Sequence, residues 1–361
     1  MKNSTQTRDL ILQHHRTYPL MQIQDLFKFL FQSAFGCEHL VSNEDTAISY
    51  IRREYASLAH ISPIPPDPLD GTYSRVHLSC LQEGLTPETL GKLFCHSAKA
   101  ESSGREALQD KLGVARDLIR EGQLPFSPEK FEEEHSAWAE AGYPPVHHSD
   151  AFRAAYSPAY RVIANEYIPF LPLLARIDTL LQSSISWVVI AIEGGSASGK
   201  TTLAGLLEDL YGCTVFHMDD FFLRPEQRTP DRLAEIGGNL DRERFLEEVL
   251  RPLRQEKPVC YRPFDCSIQA LQSPVTVIPG RFTVVEGAYS MHPSLAPSYD
   301  LAVFLDIDPA YQKERILKRN SPPFAKRFFE EWIPLEQRYF AQTQIKERCD
   351  LTVCIEGKNF S

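Results

Sequence analysis

Residues 194–202 read Gly-Gly-Ser-Ala-Ser-Gly-Lys-Thr-Thr, a run of small residues closed by one lysine and two hydroxyls. Gly194, four residues, then Gly199-Lys200-Thr201 is the spacing of a phosphate-binding loop. The chemistry needs that composition because successive backbone N–H groups must converge on phosphate oxygens at a helix N-terminus, where the helix dipole also favours negative charge. Gly194, Gly195, Ser196, Ala197, Ser198, Gly199, Lys200, Thr201 and Thr202 are therefore the candidate nucleotide contacts. Lys200 is expected to reach the β/γ-phosphates and the Thr201 hydroxyl to ligate Mg²⁺.

Acidic residues recur downstream. His217-Met-Asp219-Asp220-Phe-Phe follows a short apolar run, and Asp219 lies one helix plus one strand beyond Lys200. A carboxylate there can take a proton from an acceptor hydroxyl and hold the Mg²⁺ water shell. Phe282-Thr-Val-Val285 ends in Glu286, a candidate for the metal shell or the substrate. Leu301 to Asp306 also ends in acids, but Asp306-x-Asp308-Pro309 reads as the cap of the next helix. That helix and its exit carry Lys313, Arg315, Lys318, Arg319, Lys326 and Arg327. Arg315 and Arg319 are the candidates for neutralising charge on a transferring phosphoryl group, delivered by a mobile lid.

Strands and helices must alternate to position these residues. Trp187–Ile192, Thr214–His217, Thr283–Val285, Leu301–Asp306 and Leu351–Ile355 have strand character, with helices expected over 201–210, 241–254, 309–319 and 326–346. This pattern predicts an α/β fold, a parallel sheet of P-loop NTPase type covered by helices on both faces. Ligands then sit beyond the carboxyl ends of the strands, where the loop, Asp219 and Glu286 all fall. Before it, residues 1–182 read as a mainly helical domain, with helices over Met21–Phe31, 43–60 after Ser42 with Asp45 in capping-box register, 87–99, 104–121, 128–141 and 169–181. Thr72 to Leu78 is a candidate strand, 62–71 a Pro/Asp break, and Gln182 to Ser186 the boundary with a phosphate-loop domain over 186–361.

At 361 residues two domains are expected. A charge of −10 argues against general nucleic-acid binding, and no stretch approaches about 18 apolar residues, so neither a membrane nor a nucleic-acid partner is expected. The amino-terminal residues lack an apolar targeting core, which makes the cytoplasm the expected location. The eight cysteines include no Cys-x-x-Cys pair, so they are expected to be mostly buried, reduced thiols.

Gly194–Thr202, Asp219-Asp-Phe-Phe222, Gly238-Asn-Leu-Asp241, Tyr261-Arg-Pro-Phe264-Asp265, Val285-Glu286-Gly287 and Arg315-x-x-x-Arg319 together resemble the uridine kinase and phosphoribulokinase group of P-loop kinases. Asp-Asp-Phe-Phe, Ser321-Pro-Pro-Phe and Trp332-Ile-Pro334 are also similar to nicotinamide riboside kinases. The resemblance covers about residues 187–357. It implies ATP and Mg²⁺ as cofactors, Asp219 as base and metal-linked acid, Glu286 as strand-end acid, Arg315 and Arg319 as lid arginines, and Asp241 at the sugar hydroxyls. Asp220, Tyr261, Phe264 and Glu286 complete the implied substrate set. Uridine kinases show Tyr-Asp-Phe followed by His, whereas this chain has Phe264-Asp265-Cys266 and no nearby His, which puts pyrimidine recognition in doubt.

The expected activity is transfer of the γ-phosphoryl group to a hydroxyl of a small metabolite, a nucleoside first, with pantothenate or glycerate as alternatives. A different class is an ATP-binding switch that controls the first domain. For residues 1–180, regulation, homodimerisation and completion of the acceptor site are all open. His39, His77, His96 and His147-His148 are read as structural residues, with convergence left open, and Ser149, Arg153, Tyr156, Tyr160 and Arg161 fall at helical spacing.

Overall fold

A computed structural model describes residues 2–37, 43–58, 62–98 and 104–357. His39 and Ser42 lie outside the described residues, as do the expected helix ends at His60 and Lys99. The chain divides after Asp178 into two compact units.

In the first unit three strands, β1 (Asp67–Pro68), β2 (Tyr73–His77) and β3 (Tyr160–Ala164), form an antiparallel sheet in the order β1-β2-β3. Around it are α1 (Lys2–Thr17), α2 (Ile23–Phe35), α3 (Glu44–Ala56), α4 (Pro87–Ser97), α5 (Gly104–Arg120), α6 (Pro128–Glu140), α7 (Asp150–Tyr156) and α8 (Leu171–Gln182). Helix α1 had no counterpart among the expected helices, since its only apolar run is Leu10-Ile-Leu12. Asn43 caps α3 by accepting from the Thr46 amide, and Ser127 caps α6 ahead of Pro128 as expected. The helical spacing expected through Arg161 is corrected: α7 stops at Tyr156, Ser157 turns left-handed at φ 42°, and Tyr160-Arg161 belong to β3. Pro158 supplies the reason, because it has no N–H to continue a helix and pushes its predecessor out of the helical region.

The second unit is built on five parallel strands, β4 (Val188–Gly194), β5 (Thr214–His217), β10 (Phe282–Glu286), β11 (Leu301–Ile307) and β12 (Leu351–Ile355), in the order β12-β11-β4-β10-β5. Between β5 and β10 lie two ribbons, β6 (Val259–Tyr261) with β9 (Val275–Val277) and β7 (Phe264–Asp265) with β8 (Ala270–Leu271). All of β4 and β10 is buried, which is why both read as continuous apolar runs. Helix α9 (Lys200–Tyr211) follows the loop, and α10 (Pro309–Arg319) starts from Asp308, which accepts from the Tyr311 amide as its sequence implied. The single helix expected over 326–346 is instead α11 (Pro322–Arg327), a π-turn at Phe328–Trp332, and α12 (Ile333–Thr343), broken by Gln344 at φ 50°. The segment 241–254 likewise contains a π-turn, at Leu246–Leu250.

Register decides where the site falls. Glu286 on β10 pairs with Ile192 of β4 on one side and with His217 of β5 on the other. β5 and β10 therefore end at one level, and β4 runs two residues past it, to Gly194, before the loop leaves it. The cysteines depart from expectation: Cys37, Cys95 and Cys213 are buried, while Cys260, Cys266 and Cys354 are exposed on short strands and turns that have no second face to bury.

Candidate active site

The loop between β4 and α9 has the conformation its composition requires. Gly199, at φ +100°, precedes the first turn of α9, and Gly194, at φ +149°, passes so close to β11 that a Cβ would sit 2.7 Å from the Leu305 carbonyl oxygen. Ala197 is held at φ +61°, a costly conformation for a residue with a Cβ and one that accumulates at ligand clamps. Ser198 Oγ is buried without a hydrogen-bond partner. The Lys200 ammonium folds back on its own loop, donating to the Gly194 and Gly195 carbonyls at 3.0 and 2.9 Å. A strained cradle with an orphaned hydroxyl and a lysine parked on carbonyls fits a phosphate chain.

Acids surround the loop. Thr201 Oγ1 donates to Glu286 Oε1 at 3.1 Å, and His217 Nδ1 lies 2.7 Å from the same oxygen. Burial works to raise the Glu286 carboxyl, but the His217 hydrogen bond and the Lys200 charge outweigh it and hold it below the usual range. His217 is raised, first by that hydrogen bond. The side chain of Asp219 remains open to water, yet surrounding protein raises its carboxyl, with Lys200 opposing and Glu286 reinforcing. These oxygen donors suit Mg²⁺, which is ordinarily held by one or two carboxylates plus substrate phosphates. Among the described residues no group of three or more His, Cys, Asp or Glu side chains forms a ready metal cage.

Arg315 reaches the loop, with Nη1 3.5 Å from where a Gly199 Cβ would stand. Arg319, one turn further on α10, is exposed. Lys326 and Arg327 pair with Glu330 and Glu331 one turn away, as solvated helix charges do. Asp220, in the turn that follows β5, accepts from the Tyr261 hydroxyl at 3.2 Å. Phe264 is buried, with the Arg228 guanidinium 5.8 Å from its ring centre. Asp241 is buried at a helix N-cap, where one carboxylate oxygen accepts from the Arg244 amide and the other from Gln227 Nε2 at 2.9 Å.

Four residues escaped the sequence reading: His217, described above, and three around the loop. Glu193, fully buried at the end of β4, accepts from the amides of Gly194, Tyr289 and Met291 and from the Tyr339 hydroxyl, and burial pushes its carboxyl up to about 7. Glu336 on α12 takes hydrogen bonds from the Ser196 amide at 2.9 Å and the Ser196 hydroxyl at 2.7 Å. Gln312 on α10 donates to the Ser196 carbonyl at 2.7 Å. Together they pin the loop to two helices more than a hundred residues downstream. His217 gave one signal, its place at a strand end beside Asp219; Glu336 and Gln312 gave none.

The strand order, the strained loop and the acids at the strand ends are those of a P-loop NTPase-type α/β unit. Its sequence is uridine kinase-like: it is 27% identical over 176 residues to uridine kinase-like protein 5 of Arabidopsis thaliana, covering 42% of this chain and 37% of that protein. It is 29% identical over 142 residues to a uridine kinase of Geobacillus kaustophilus, covering 37% of this chain and 67% of that enzyme. The chain thus spans little more than a third of the length of the Arabidopsis relative. Among solved structures, a possible uridine kinase from Bacillus stearothermophilus aligns with a TM-score of 0.39 at 23% identity, over 50% of this chain and 98% of that one. No family model matches the chain. No helix among the described residues is long and apolar enough to cross a membrane.

Proposed function

We propose that the second unit transfers the γ-phosphoryl group of ATP to a hydroxyl of a small metabolite. One observation carries this reading: Lys200, Thr201, Asp219 and Glu286 meet where three adjacent parallel strands end. In this mechanism the loop amides and Lys200, released from the Gly194 and Gly195 carbonyls, hold the phosphates. Thr201 and Glu286, with Asp219, are the residues to hold Mg²⁺, which when bound neutralises charge shared between the β- and γ-phosphates. Asp219 orients the acceptor hydroxyl and takes its proton, for which a raised carboxyl is better matched than an ordinary one. Arg315 lies on the loop side of α10, where it would offset charge on the equatorial oxygens. Positioning and electrostatics do nearly all the work in such a reaction.

The acceptor is a nucleoside or another small polyol. Asp220, which accepts from the Tyr261 hydroxyl, and Phe264 are the acceptor candidates with Tyr261, and no histidine follows Phe264 closely as one does in uridine kinases. Asp241 is engaged by Gln227 and Arg244, which favours an acceptor that does not need it at its hydroxyls, such as glycerate or pantothenate, as the second reading. The test is ADP release by the full-length chain across a panel of nucleosides, glycerate and pantothenate. Acceptor-dependent release that disappears in Asp219→Asn supports the kinase reading. ATP binding without stimulation by any acceptor replaces it with an ATP-binding switch.

A further inference from the structure

The first unit buries a charged cluster. Arg75 on β2 is 1% exposed. Its Nε and Nη2 donate to Gln32 Oε1 at 3.0 and 2.9 Å, while Nη1 lies 3.4 Å from His14 Nε2 and 3.7 Å from Asp67 Oδ2. His14 Nδ1, Asp67 Oδ2 and His77 Nε2 are buried without a hydrogen-bond partner. Burial of this kind is costly unless the charges are well paired, so a purely structural purpose is poorly served.

The cluster continues outward through His148, which is buried. Its Nδ1 lies 3.0 Å from Asp25 Oδ1 and its Nε2 2.7 Å from the Tyr160 hydroxyl, which in turn lies 3.2 Å from Gln32 Oε1. His148 is also the inner wall of a cavity of about 360 Å³ lined by Lys28, His147, His148, Arg153, Ser157 and Pro158. That volume is within the range of small-molecule sites. Two of the six lining residues are cationic and none carries a carboxylate. Asp25 turns its oxygens to His148, to Ser149 and to the Gln22 amide. Lys28 Nζ donates to the Val146 carbonyl at 3.0 Å, and Arg153 donates through Nε and Nη2 to the His148 carbonyl. The acid nearest Arg153 is the fully exposed Asp150, 3.9 Å from Nη1. Burial, and then the Arg75 charge, push the Lys28 ammonium down to about 8, with the Asp25 charge opposing them in part.

We propose that this cavity of the first unit is a binding site for a small ligand bearing an oxyanion, a phosphate monoester or a carboxylate, held by Lys28 and Arg153 against His147 and His148. Both groups offer the same chemistry, oxygens that accept charge-assisted hydrogen bonds from an ammonium and a guanidinium. The site is separate from the phosphate loop and does not depend on phosphoryl transfer.

Calorimetric titration of the full-length chain tests this, using the Lys200→Ala background so that the phosphate loop does not dominate the signal. Inorganic phosphate and acetate are the two probes. Saturable binding of one equivalent is expected for at least one of them, and the probe that binds identifies the ligand's anionic group. Arg153→Met and Lys28→Met are each expected to weaken it about tenfold, the loss of one charge-assisted contact. Arg153 also donates to the His148 carbonyl, so melting temperatures are measured alongside, and binding lost at an unchanged melting temperature reads as a lost ligand contact. No saturable binding of either probe, or binding unchanged by both substitutions, overturns the proposal.

Discussion

Thr201 and Glu286 stand 85 residues apart in the chain and are joined by a 3.1 Å hydrogen bond from the threonine hydroxyl to the carboxylate. Parallel pairing of β4 with β10 brings them together, because the first residue after the loop lysine and the last residue of β10 then share one end of the sheet. Thr201→Val and Glu286→Gln are both expected to raise the Mg²⁺ concentration needed for half-maximal turnover, by about tenfold to a hundredfold as for other lost metal-shell groups. Turnover measured against Mg²⁺ at saturating ATP checks this, and an unchanged Mg²⁺ dependence in both variants removes these residues from the metal site.

Asp219 carries the heaviest expectation. Asp219→Asn keeps the shape of the side chain and loses its basicity, so kcat should fall by about 10²- to 10⁴-fold while nucleotide binding changes little. ADP release and nucleotide affinity, measured on the same preparation, separate the two. A variant with full turnover would show that Asp219 takes no part in proton transfer.

Arg315 and Arg319 should differ. Arg315 faces the loop at Gly199 and Arg319 is exposed, so Arg315→Met should reduce kcat by about 10²-fold or more, and Arg319→Met by much less unless α10 moves on binding. Steady-state kinetics of the two single variants decides it; equal losses would mean that both arginines reach the transferring group in a closed form.

Glu193 predicts a pH dependence of stability. Its carboxyl is raised from 4.5 to about 7, so the folded state holds a proton that the unfolded state releases. The stabilising contribution is complete below about pH 4.5 and is lost as pH rises through about 7, an amount of about 3 kcal/mol at most for a shift of this size. Denaturant unfolding from pH 5 to 8 should show stability falling through that window, and Glu193→Gln, which cannot titrate, should remove that slope whatever its absolute stability. A wild-type profile with the same slope as the variant would place the Glu193 carboxyl at its ordinary value.

Local features of the chain were legible because each depends on neighbours in sequence. The loop's glycines, the apolar strands β4, β5, β10, β11 and β12, the Ser127 and Asp308 caps and the strand-end acids are all dictated by backbone conformation or by burial on two faces. Features that depend on distant chain were not. Helix α1 and strand β3 had no reliable periodicity, and Pro158 cut short a helical spacing that continued on paper to Arg161. The π-turns within 246–250 and 328–332 come from packing, to which single-residue propensity is blind. Of the histidines, His77 and His148 each pack near Tyr160, and His14, which no spacing singled out, lies against Arg75. His96 instead packs near Tyr167.

By itself the sequence determined that residues 194–202 form a tight glycine-rich loop between a buried strand and a helix, since Gly194 and Gly199 adopt positive φ there. It also determined which acids close the neighbouring strands. The tertiary structure alone decided the partners: Glu286 with both Thr201 and His217, Ser196 with Glu336 and Gln312, and Glu193 with Tyr339. It also turned Asp241 inward onto Gln227 and Arg244. These choices follow from strand order and helix packing, which set distances between residues far apart in the chain, and nothing in the local sequence encodes those distances.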